Sequence, residues 1–398
     1  MTKPPRALLM LTIALLVAAC TSNDADRQSA GAAPSGGSAA ASGAAASGGG
    51  SSSGASPSEA AAASPGEGEF VNPVLRNFPD PDVMQVGDTF YAYATTNYLA
   101  SSGSGSHIQA ARSSDLVTWE RLPSPGVLPE LASWSGMTPL FGPNPHSATW
   151  APDVTQIGDA FVMYYTTPAL EVPRPDERPS QCLSVAVSDA PDGPFVDASS
   201  GPLVCQAELG GSIDGSYFQD EDGTQYLVWK NDGNCCGIPT NFWLQPLTPD
   251  GLAVTGEPVQ LAGLENDTEW EGRVIESPQI LIHDGRYYMF FSGNDFASGS
   301  YAVGYATADA LEGPYTDAEE NPILFTDFQS APELGLAGPG HQGIFTDADG
   351  DLWMAYHAWQ NTAIGNDSVG RHLWLDELLF EDGRPVVDGP DPGPQDVP

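Results

Sequence analysis

The chain has 398 residues, with 13 Lys and Arg against 52 Asp and Glu and a formal net charge of −39 at pH 7. A surface with this excess of negative charge repels nucleic acid and anionic lipid, so neither is expected as a partner. The acidic composition would suit a protein adapted to salt. Codon usage that disfavours Lys would also lower the number of basic residues, so the sequence leaves open whether the protein is adapted to salt.

The first 68 residues are expected to lie outside the folded domain. Residues 1–19 combine a basic start with an apolar run, which predicts a signal peptide too short to span a membrane. The run ends in "LVAAC", which resembles a bacterial lipobox and makes Cys20 the expected lipidation site; the alternative is an ordinary secretory signal. Residues 20–68 are rich in Ala, Ser and Gly and predict a flexible tether. We therefore expect an exported protein that is anchored at the cell surface by its lipid, or alternatively secreted.

Residues 69–392 are expected to form one folded domain, followed by a short tail at 393–398. Five segments of this domain each contain an apolar strand, a glycine turn and an aromatic strand. The turn glycines are spaced by 62 to 71 residues and are Gly87, Gly158, Gly223, Gly285 and Gly350. Hairpins repeated at a long, nearly constant interval are typical of a β-propeller, so the predicted fold is all-β with five blades. The alternative is a β-sandwich with ordinary Asp-Gly hairpins.

The first strand of each propeller blade lines the central channel, so the residues at its start face one mouth of that channel. Aligning the five hairpins brings these residues to one equivalent position: Asp80, Ala151, Asp214, Ser277 and His341. Glu276 lies one residue earlier, so three carboxylates and one imidazole are predicted to meet on one axis. Hydrolysis of a glycosidic bond requires an acid and a base, and crowding carboxyl groups raises the pKa of one of them. Flat apolar faces for sugar rings are offered nearby by Trp150, Trp270 and Trp359.

Six segments between Asn72 and Pro390 resemble, in the same order, those of family 43 glycoside hydrolases. They are "NPVLRNFPDPDVMQVGDTFYAY", "WAPDV", "GSIDGSYFQDEDGTQYLVWK", "VIESPQILIHDGRYYMFFSG", "GPGHQGIFTDADGDLWMAYHAW" and "GRHLWLDELLFEDGRPVV". The resemblance implies a five-bladed propeller that hydrolyses pentose-containing plant polysaccharide or oligosaccharide with inversion. It also implies a general base and a general acid about 6.5–9.5 Å apart, which leaves room for a water molecule.

The resemblance assigns roles to individual positions. Asp80 in "PDPD" matches the general base, Glu276 in "VIESP" matches the general acid, and Asp214 in "SID" matches the carboxylate that tunes and orients the acid. Arg371 matches an arginine that reaches the sugar in the terminal subsite. His341 in "GPGH" matches a histidine beside a channel cation, often Ca²⁺, held largely through water. No cofactor is expected for the chemistry itself.

The chain departs from the family pattern at Gly215, where many members have Pro, and at Ser277, where many have Gly. Neither change removes a reacting group.

Several of these positions have competing interpretations. Asp82 is the rival of Asp80 as base, and Glu271 is the rival of Glu276 as acid. Asp153 aligns with Asp82 and is expected to make a hydrogen bond at the start of its strand. The remaining competing roles are core packing for Trp150, a satisfied core group for His341, an ion pair with Asp376 or Glu377 for Arg371, and packing for His357 and Trp359.

The cysteines apart from Cys20 number four, which allows three pairings in an exported protein. Cys182 with Cys205 would close a local loop and leave a vicinal pair, Cys235 with Cys236. A zinc site is the weaker alternative because the chain lacks two separated CxxC pairs.

Within the family, "LVWKNDGN" and "WEGRVIESP" favour the exo-acting α-L-arabinofuranosidases. A β-xylosidase or an arabinanase is the nearest alternative. A sugar-binding propeller without turnover is the alternative from another class. A further alternative is a related propeller enzyme that acts on another sugar, such as a fructosidase-like hydrolase or a phosphorylase, although a phosphorylase would need a more cationic pocket. The expected partner is an arabinose- or xylose-containing saccharide, the membrane is contacted only through the N-terminal lipid, and the protein is expected to be a monomer.

Overall fold

The computed structural model describes residues 68–96, 106–123, 125–138, 147–329 and 335–396. The expected signal peptide, Cys20 and nearly all of the tether lie outside these residues, as does the end of the expected tail. The described residues belong to one compact unit. No helix among them is long and apolar enough to cross a membrane.

The regular structure is almost entirely β-strand. The described helical segments are two short 3-10 turns, Ala207–Leu209 and Gly233–Cys235. The described strands, in chain order, are β1 Glu69–Val71, β2 Asp82–Val86, β3 Thr89–Ala94, β4 Gln109–Ser113, β5 Glu120–Arg121, β6 Trp150–Ile157, β7 Ala160–Pro173, β8 Pro179–Ser188, β9 Ser212–Gln219, β10 Gln225–Asn231, β11 Phe242–Pro246, β12 Val259–Gln260, β13 Ile275–His283, β14 Arg286–Gly293, β15 Ala302–Ala308, β16 Thr316–Asp317, β17 Leu336–Thr346, β18 Leu352–Gln360, β19 His372–Glu381, β20 Arg384–Val387 and β21 Pro394–Asp396.

Strands β2 to β20 form five antiparallel sheets that follow one another along the chain, and β1 and β21 form a separate two-stranded sheet. We number them as blades: blade 1 is β2–β5, blade 2 is β6–β8, blade 3 is β9–β12, blade 4 is β13–β16 and blade 5 is β17–β20. The first strand of every blade lines a narrow central channel. The prediction of a five-bladed β-propeller is therefore confirmed.

The hairpin of blade 4 shows how local sequence sets the repeat. Asp284 and Gly285 both have a positive φ, of 51° and 73°, as a two-residue type I′ turn requires. This turn fixes the strand register, in which Ile280 lies opposite Met289 and Ile282 lies opposite Tyr287.

The hydrophobic core consists of five separate clusters, one between each pair of neighbouring blades. Between blades 4 and 5, for example, Tyr288 and Phe290 pack with Met354, Tyr356 and Trp374. Each blade is thus covered on both faces, which explains why the middle strands are continuously apolar rather than alternating.

The ring of blades closes through the N-terminal segment. Strand β1 pairs with β21, and the Asn72 side chain makes two hydrogen bonds to the backbone of Leu375, at 2.7 Å to the carbonyl and 2.9 Å from the N–H. Residues at both ends of the domain therefore hold blade 5 next to the start of blade 1.

The same backbone irregularity occurs at the start of each inner strand. A left-handed conformation is found at the five aligned positions, with φ of 53° at Asp80, 42° at Ala151, 55° at Asp214, 55° at Ser277 and 54° at His341. Such a conformation costs on the order of 1–3 kcal/mol for a residue other than glycine. Its recurrence in all five blades shows that it is a fixed feature of the repeat.

The N–H of each left-handed residue donates a hydrogen bond to a side chain of the preceding blade. The donor–acceptor pairs are Ala151 to Thr95 Oγ1 (2.9 Å), Asp214 to Thr166 Oγ1 (3.4 Å), Ser277 to Asp214 Oδ2 (3.1 Å), His341 to Ser292 Oγ (2.8 Å) and Asp80 to His357 Nδ1 (3.2 Å). These bonds join every blade to the next around the ring.

A second set of contacts lies two residues further along the inner strands, inside the channel. Asp82 Oδ2 accepts a hydrogen bond from the Val154 N–H at 2.8 Å, and Asp153 Oδ1 accepts one from the Tyr217 N–H at 3.1 Å. The expectation that Asp153 hydrogen-bonds at the start of its strand is confirmed. At the same position of blade 5, Gly343 has no room for a Cβ atom, which would lie 2.8 Å from the Pro81 carbonyl oxygen.

The four cysteines form two disulfides, in one of the three possible pairings. Cys182 bonds to Cys205 and Cys235 bonds to Cys236. The alternative of a zinc site built from these cysteines is therefore wrong.

The channel carboxylates make a pH-dependent contribution to stability. Burial raises the pKa of Asp153 to about 7, and burial together with the charge of Asp153 raises the pKa of Asp82 well above its ordinary value. Between about pH 4 and pH 7 the folded protein therefore holds protons that the unfolded chain releases, so the free energy of unfolding falls as the pH rises.

We expect Asp153→Asn to reduce this fall, by about 1.4 kcal/mol for each pKa unit removed. Denaturant unfolding at pH 5 and pH 8 measures the difference between the two proteins. Asp159→Asn, on the exposed turn of the same hairpin, is the matched control and should behave like the wild type. An equal fall in wild type and Asp153→Asn would contradict the prediction.

Candidate active site

A cavity of about 430 Å³ opens at the end of the channel where the inner strands start. It is lined by side chains from all five blades and the loops between them, among them Asp80, Trp150, Asp214, Glu276, His341 and Arg371. The residues to which the family resemblance assigned roles are thus present in one cavity, although they span nearly 300 positions in the chain.

Asp80 is held from several sides. Arg371 donates hydrogen bonds to both carboxylate oxygens, and Thr95 Oγ1 donates to Oδ2 at 2.5 Å. His341 Nδ1 lies 3.5 Å from Oδ1. The orientation of the carboxylate is therefore fixed by charge-assisted hydrogen bonds.

These partners also decide the ionisation of Asp80. Burial alone would raise its pKa, but the positive charge of Arg371, with smaller effects from His341 and His357, outweighs burial and holds the pKa well below its ordinary value. His357 is itself fully buried, which lowers its pKa to about 3. Its neutral ring can then accept the hydrogen bond from the Asp80 N–H. Asp80 is thus ionised at neutral and at mildly acidic pH.

Glu276 is clamped at both oxygens. The Lys230 ammonium lies 3.1 Å from Oε2, and the Tyr301 hydroxyl donates to Oε1 at 2.7 Å. Burial alone would raise the pKa of Glu276, but the charges of Lys230 and His341 and the bond from Tyr301 outweigh it and leave the pKa below its ordinary value.

Asp214 shows the opposite shift. Burial and the negative charge of Glu276 raise its pKa, although His341 and Lys230 act against them. Its Oδ2 accepts the N–H of Ser277, the residue next to Glu276. Asp214 is therefore attached to the backbone that carries Glu276, and the two carboxyl groups interact electrostatically.

The two rival carboxylates lie elsewhere. Asp82 belongs to the channel contacts and does not line the cavity. Glu271 accepts the N–H groups of Asp267 and Thr268, at 2.9 and 3.0 Å, and so stabilises a loop outside the cavity.

The three tryptophans expected near the site lie in two different places. Trp150 and Trp359 line the cavity, and Trp359 Nε1–H donates to the Phe296 carbonyl at 2.7 Å. Trp270 was expected to offer a sugar-binding face, but this expectation is wrong. It packs against Phe291 at 5.3 Å between ring centroids, in the core between blades 3 and 4.

His341 lies between the cavity and the channel, where a cation was expected. Carboxylate oxygens of Asp82 and Asp153 face the same channel, which suits a hard cation in chemical type. However, the one group of three ligating side chains that the described residues bring within 4.8 Å of one another is Asp267, Glu271 and Asp317, outside the cavity. The channel therefore offers no direct three-residue ligand set among the described residues, and a cation at His341 stays a prediction.

Blades 2 and 3 contribute a polar wall to the cavity that was not predicted from the sequence. Arg174 and Arg178 line the cavity from the end of the long hairpin β7–β8, together with Asp232 and Cys235. Arg174 forms ion pairs with Asp176 at 2.9 Å and with Asp232 at 3.4 Å. Loop residues such as these carry no repeat signal, because they lie between the aligned hairpins.

The sequence matches the family described as "Glycosyl hydrolases family 43" over residues 70–385. This match covers most of the chain and the whole cavity described above. The chain therefore belongs to glycoside hydrolase family 43.

Individual relatives are more distant. The chain is 24% identical over 329 residues to the beta-D-galactofuranosidase xynD of Aspergillus niger, covering 79% of this chain and 84% of that protein. It is 28% identical over 273 residues to extracellular endo-alpha-(1->5)-L-arabinanase 2 of Bacillus subtilis, covering 62% of this chain and 51% of that protein. The chain thus spans about half of the arabinanase's length.

A solved structure, described as a thermostable family-43 glycoside hydrolase, has a TM-score of 0.66 and 27% sequence identity to this chain. The match covers 83% of this chain and 99% of that one.

The Arg371–Asp80 ion pair predicts a specific pH effect. If Arg371→Met removes the positive charge, the pKa of Asp80 rises, and the acidic limb of hydrolytic activity should move upward by on the order of 1–2 pH units. Arg178→Met is the matched control, because Arg178 also lines the cavity but forms its ion pair with Asp176. An unchanged acidic limb in Arg371→Met, measured as kcat/KM between pH 3 and pH 8, would show that Arg371 does not control Asp80.

Proposed function

We propose that the protein is an inverting glycosidase that releases pentose units, above all α-L-arabinofuranosyl units, from plant-type polysaccharides or oligosaccharides. One observation carries the proposal: Asp80 and Glu276 face the same cavity from blades 1 and 4, each with its own set of charged partners.

Asp80 is the proposed general base. Its depressed pKa keeps it ionised, and Arg371 and Thr95 fix its orientation, so that it can accept a proton from a water molecule attacking the sugar. The attacking water and the leaving group then stand on opposite faces of the ring, which inverts the anomeric centre.

Glu276 is the proposed general acid, and Asp214 is the carboxylate that tunes it. Glu276 must hold a proton in competition with the charges of Lys230 and His341. Two carboxyl groups close together raise one another's pKa, so Asp214 acts in the direction that an acid requires. Its bond to the Ser277 N–H also orients the backbone that carries Glu276.

The cavity supports action at a chain end. Its volume of about 430 Å³ lies toward the lower end of the common range for small-molecule sites, and suits one or two sugar rings rather than a long chain. The Arg371 guanidinium stacks over the Phe296 ring at 4.7 Å, and Trp150 adds a flat wall for a sugar, whereas Trp359 is almost fully buried beside the cavity.

The choice of sugar rests on the relatives. Two of them are named for galactofuranose and L-arabinan. The β-D-galactofuranose ring has the same stereochemistry around its ring atoms as α-L-arabinofuranose, which favours a furanoside. A β-xylosidase or arabinanase of the same fold is the alternative within the family, and a surface sugar-binding propeller is the alternative without turnover.

We also propose that the protein is exported as a monomer and held at the cell surface through a lipid on Cys20. The "LVAAC" run and the tether composition support this location. A saccharide and, through the lipid, the membrane would then be its partners.

The function is tested with aryl and unactivated α-L-arabinofuranosides, β-D-xylosides and β-D-galactofuranosides. We expect turnover of at least one class, and a loss of about 10²–10⁴-fold in kcat/KM for Asp80→Asn on all substrates. Glu276→Gln should lose as much on unactivated substrates but much less on aryl glycosides with acidic leaving groups, which need no protonation.

Asp82→Asn and Glu271→Gln are the matched controls, because these carboxylates lie outside the cavity. If the variants of Asp80 and Glu276 are as active as the wild type, the assignment of these residues as base and acid is wrong. Binding of arabino-oligosaccharide without hydrolysis of any substrate would support the sugar-binding alternative, and an α-anomeric first product from an α-glycoside would exclude inversion.

A further inference from the structure

One position of the blade repeat is occupied by a side chain that cannot make the usual bond. In each blade, one residue of the second strand, or directly after it in blade 1, lies opposite the residue that precedes the left-handed one. These five residues are Thr95, Thr166, Lys230, Ser292 and His357. In four blades this residue accepts the N–H of the left-handed residue in the next blade.

Lys230 breaks this pattern, because an ammonium group has no lone pair and cannot accept a hydrogen bond. The N–H that it would have held, that of Ser277, donates instead to Asp214 Oδ2. In blade 3, Asp214 therefore accepts the hydrogen bond that joins this blade to the next. Lys230 places a cation at the position where each of the remaining blades has a hydrogen-bond acceptor.

The cation is directed at Glu276. Lys230 is 0% exposed, and its Nζ lies 3.1 Å from Glu276 Oε2. Burying an ammonium group is costly unless a partner compensates it. Since the fold needs only an acceptor at this position, as Thr95, Thr166 and Ser292 show, the buried charge calls for a reason outside the fold.

The rarity of lysine in this chain also indicates a specific role for Lys230. Lys3 and Lys230 are the only lysines in the whole sequence, although 11 arginines are present. Lys carries a compact point charge on a flexible stem, whereas Arg carries a wide planar fork, so the two are not interchangeable at a single carboxylate oxygen in a closed space.

We propose that Lys230 is a positioning residue for Glu276: it fixes the carboxyl group in the cavity, and its charge competes with the catalytic proton for Glu276. This inference rests on the proposed role of Glu276 as general acid. Lys230 would then set the upper pH limit of activity, at which Glu276 loses its proton, although it touches neither the sugar nor the attacking water.

The charged and titratable groups that face Glu276 come from four elements. They are Lys230 on β10, Asp214 on β9, Tyr301 before β15 and His341 on β17, with Asp232 just beyond β10. Lys230 and His341 favour the ionised form of Glu276, and Asp214 and Asp232 favour the protonated form. Removing Lys230 takes away the buried ammonium group that favours the ionised form of Glu276, so the balance shifts toward the protonated form.

The test is the pH dependence of kcat/KM on an unactivated oligosaccharide, for wild type, Lys230→Met and the matched control Arg286→Met. Arg286 is an exposed cation on the blade 4 hairpin, so its loss changes net charge equally without touching the cavity. We expect the alkaline limb of Lys230→Met to move upward by about 1 pH unit or more. We also expect kcat below the limb to fall at least about threefold on this substrate, and less on an aryl glycoside with an acidic leaving group. Arg286→Met should match the wild type.

Failure of the inference differs from failure of the function. An unchanged alkaline limb and leaving-group dependence in Lys230→Met, with Glu276→Gln impaired, overturn the inference alone. A wild type without turnover, or a fully active Glu276→Gln, overturns the proposed function first.

Stability supplies a second readout in case Lys230→Met folds poorly. If Lys230 acts on Glu276, adding Glu276→Gln to Lys230→Met removes the unpaired buried carboxylate and raises the thermal stability above that of Lys230→Met. A double variant as unstable as Lys230→Met overturns the inference, because Lys230 would then support the fold through groups apart from Glu276.

Discussion

The structure depends on one backbone constraint, the left-handed residue at the start of each inner strand and the bond that holds its N–H. The conformation is unfavourable for residues other than glycine, so it persists only because the preceding blade supplies an acceptor in every case. The same constraint turns the side chains of Asp80, Asp214 and His341 toward one cavity. Blade assembly and site assembly therefore have the same cause, and the site exists only when the ring is closed.

Electrostatics then differentiates residues that the repeat makes equivalent. Asp80 and Asp214 have the same backbone conformation and nearly the same burial, yet the pKa of Asp80 is depressed and that of Asp214 is raised. The difference comes from neighbours, since Arg371 pairs with Asp80 whereas Asp214 faces Glu276. The chain is acidic and has few basic residues, yet several of these lie in or beneath the cavity. They include Arg174, Arg178 and Lys230.

Much of the fold was predictable, because its signals are local. The glycine turn and the apolar and aromatic strands that flank it are short-range features, and their fivefold recurrence along the chain specified the propeller. Aligning the hairpins also identified the five left-handed positions. Trp270 could not be placed in this way, because it lies in a loop between hairpins, and its packing on Phe291 is a long-range contact.

The sequence by itself determined the number of blades, the positions at which functional side chains meet the axis, and the family, since all of these repeat or align along the chain. The tertiary structure alone decided which partner each carboxylate received. Lys230 and Glu276 are 46 residues apart, and Arg371 and Asp80 are 291 apart. Such contacts depend on how neighbouring blades pack across the ring, and sequence spacing does not encode that geometry.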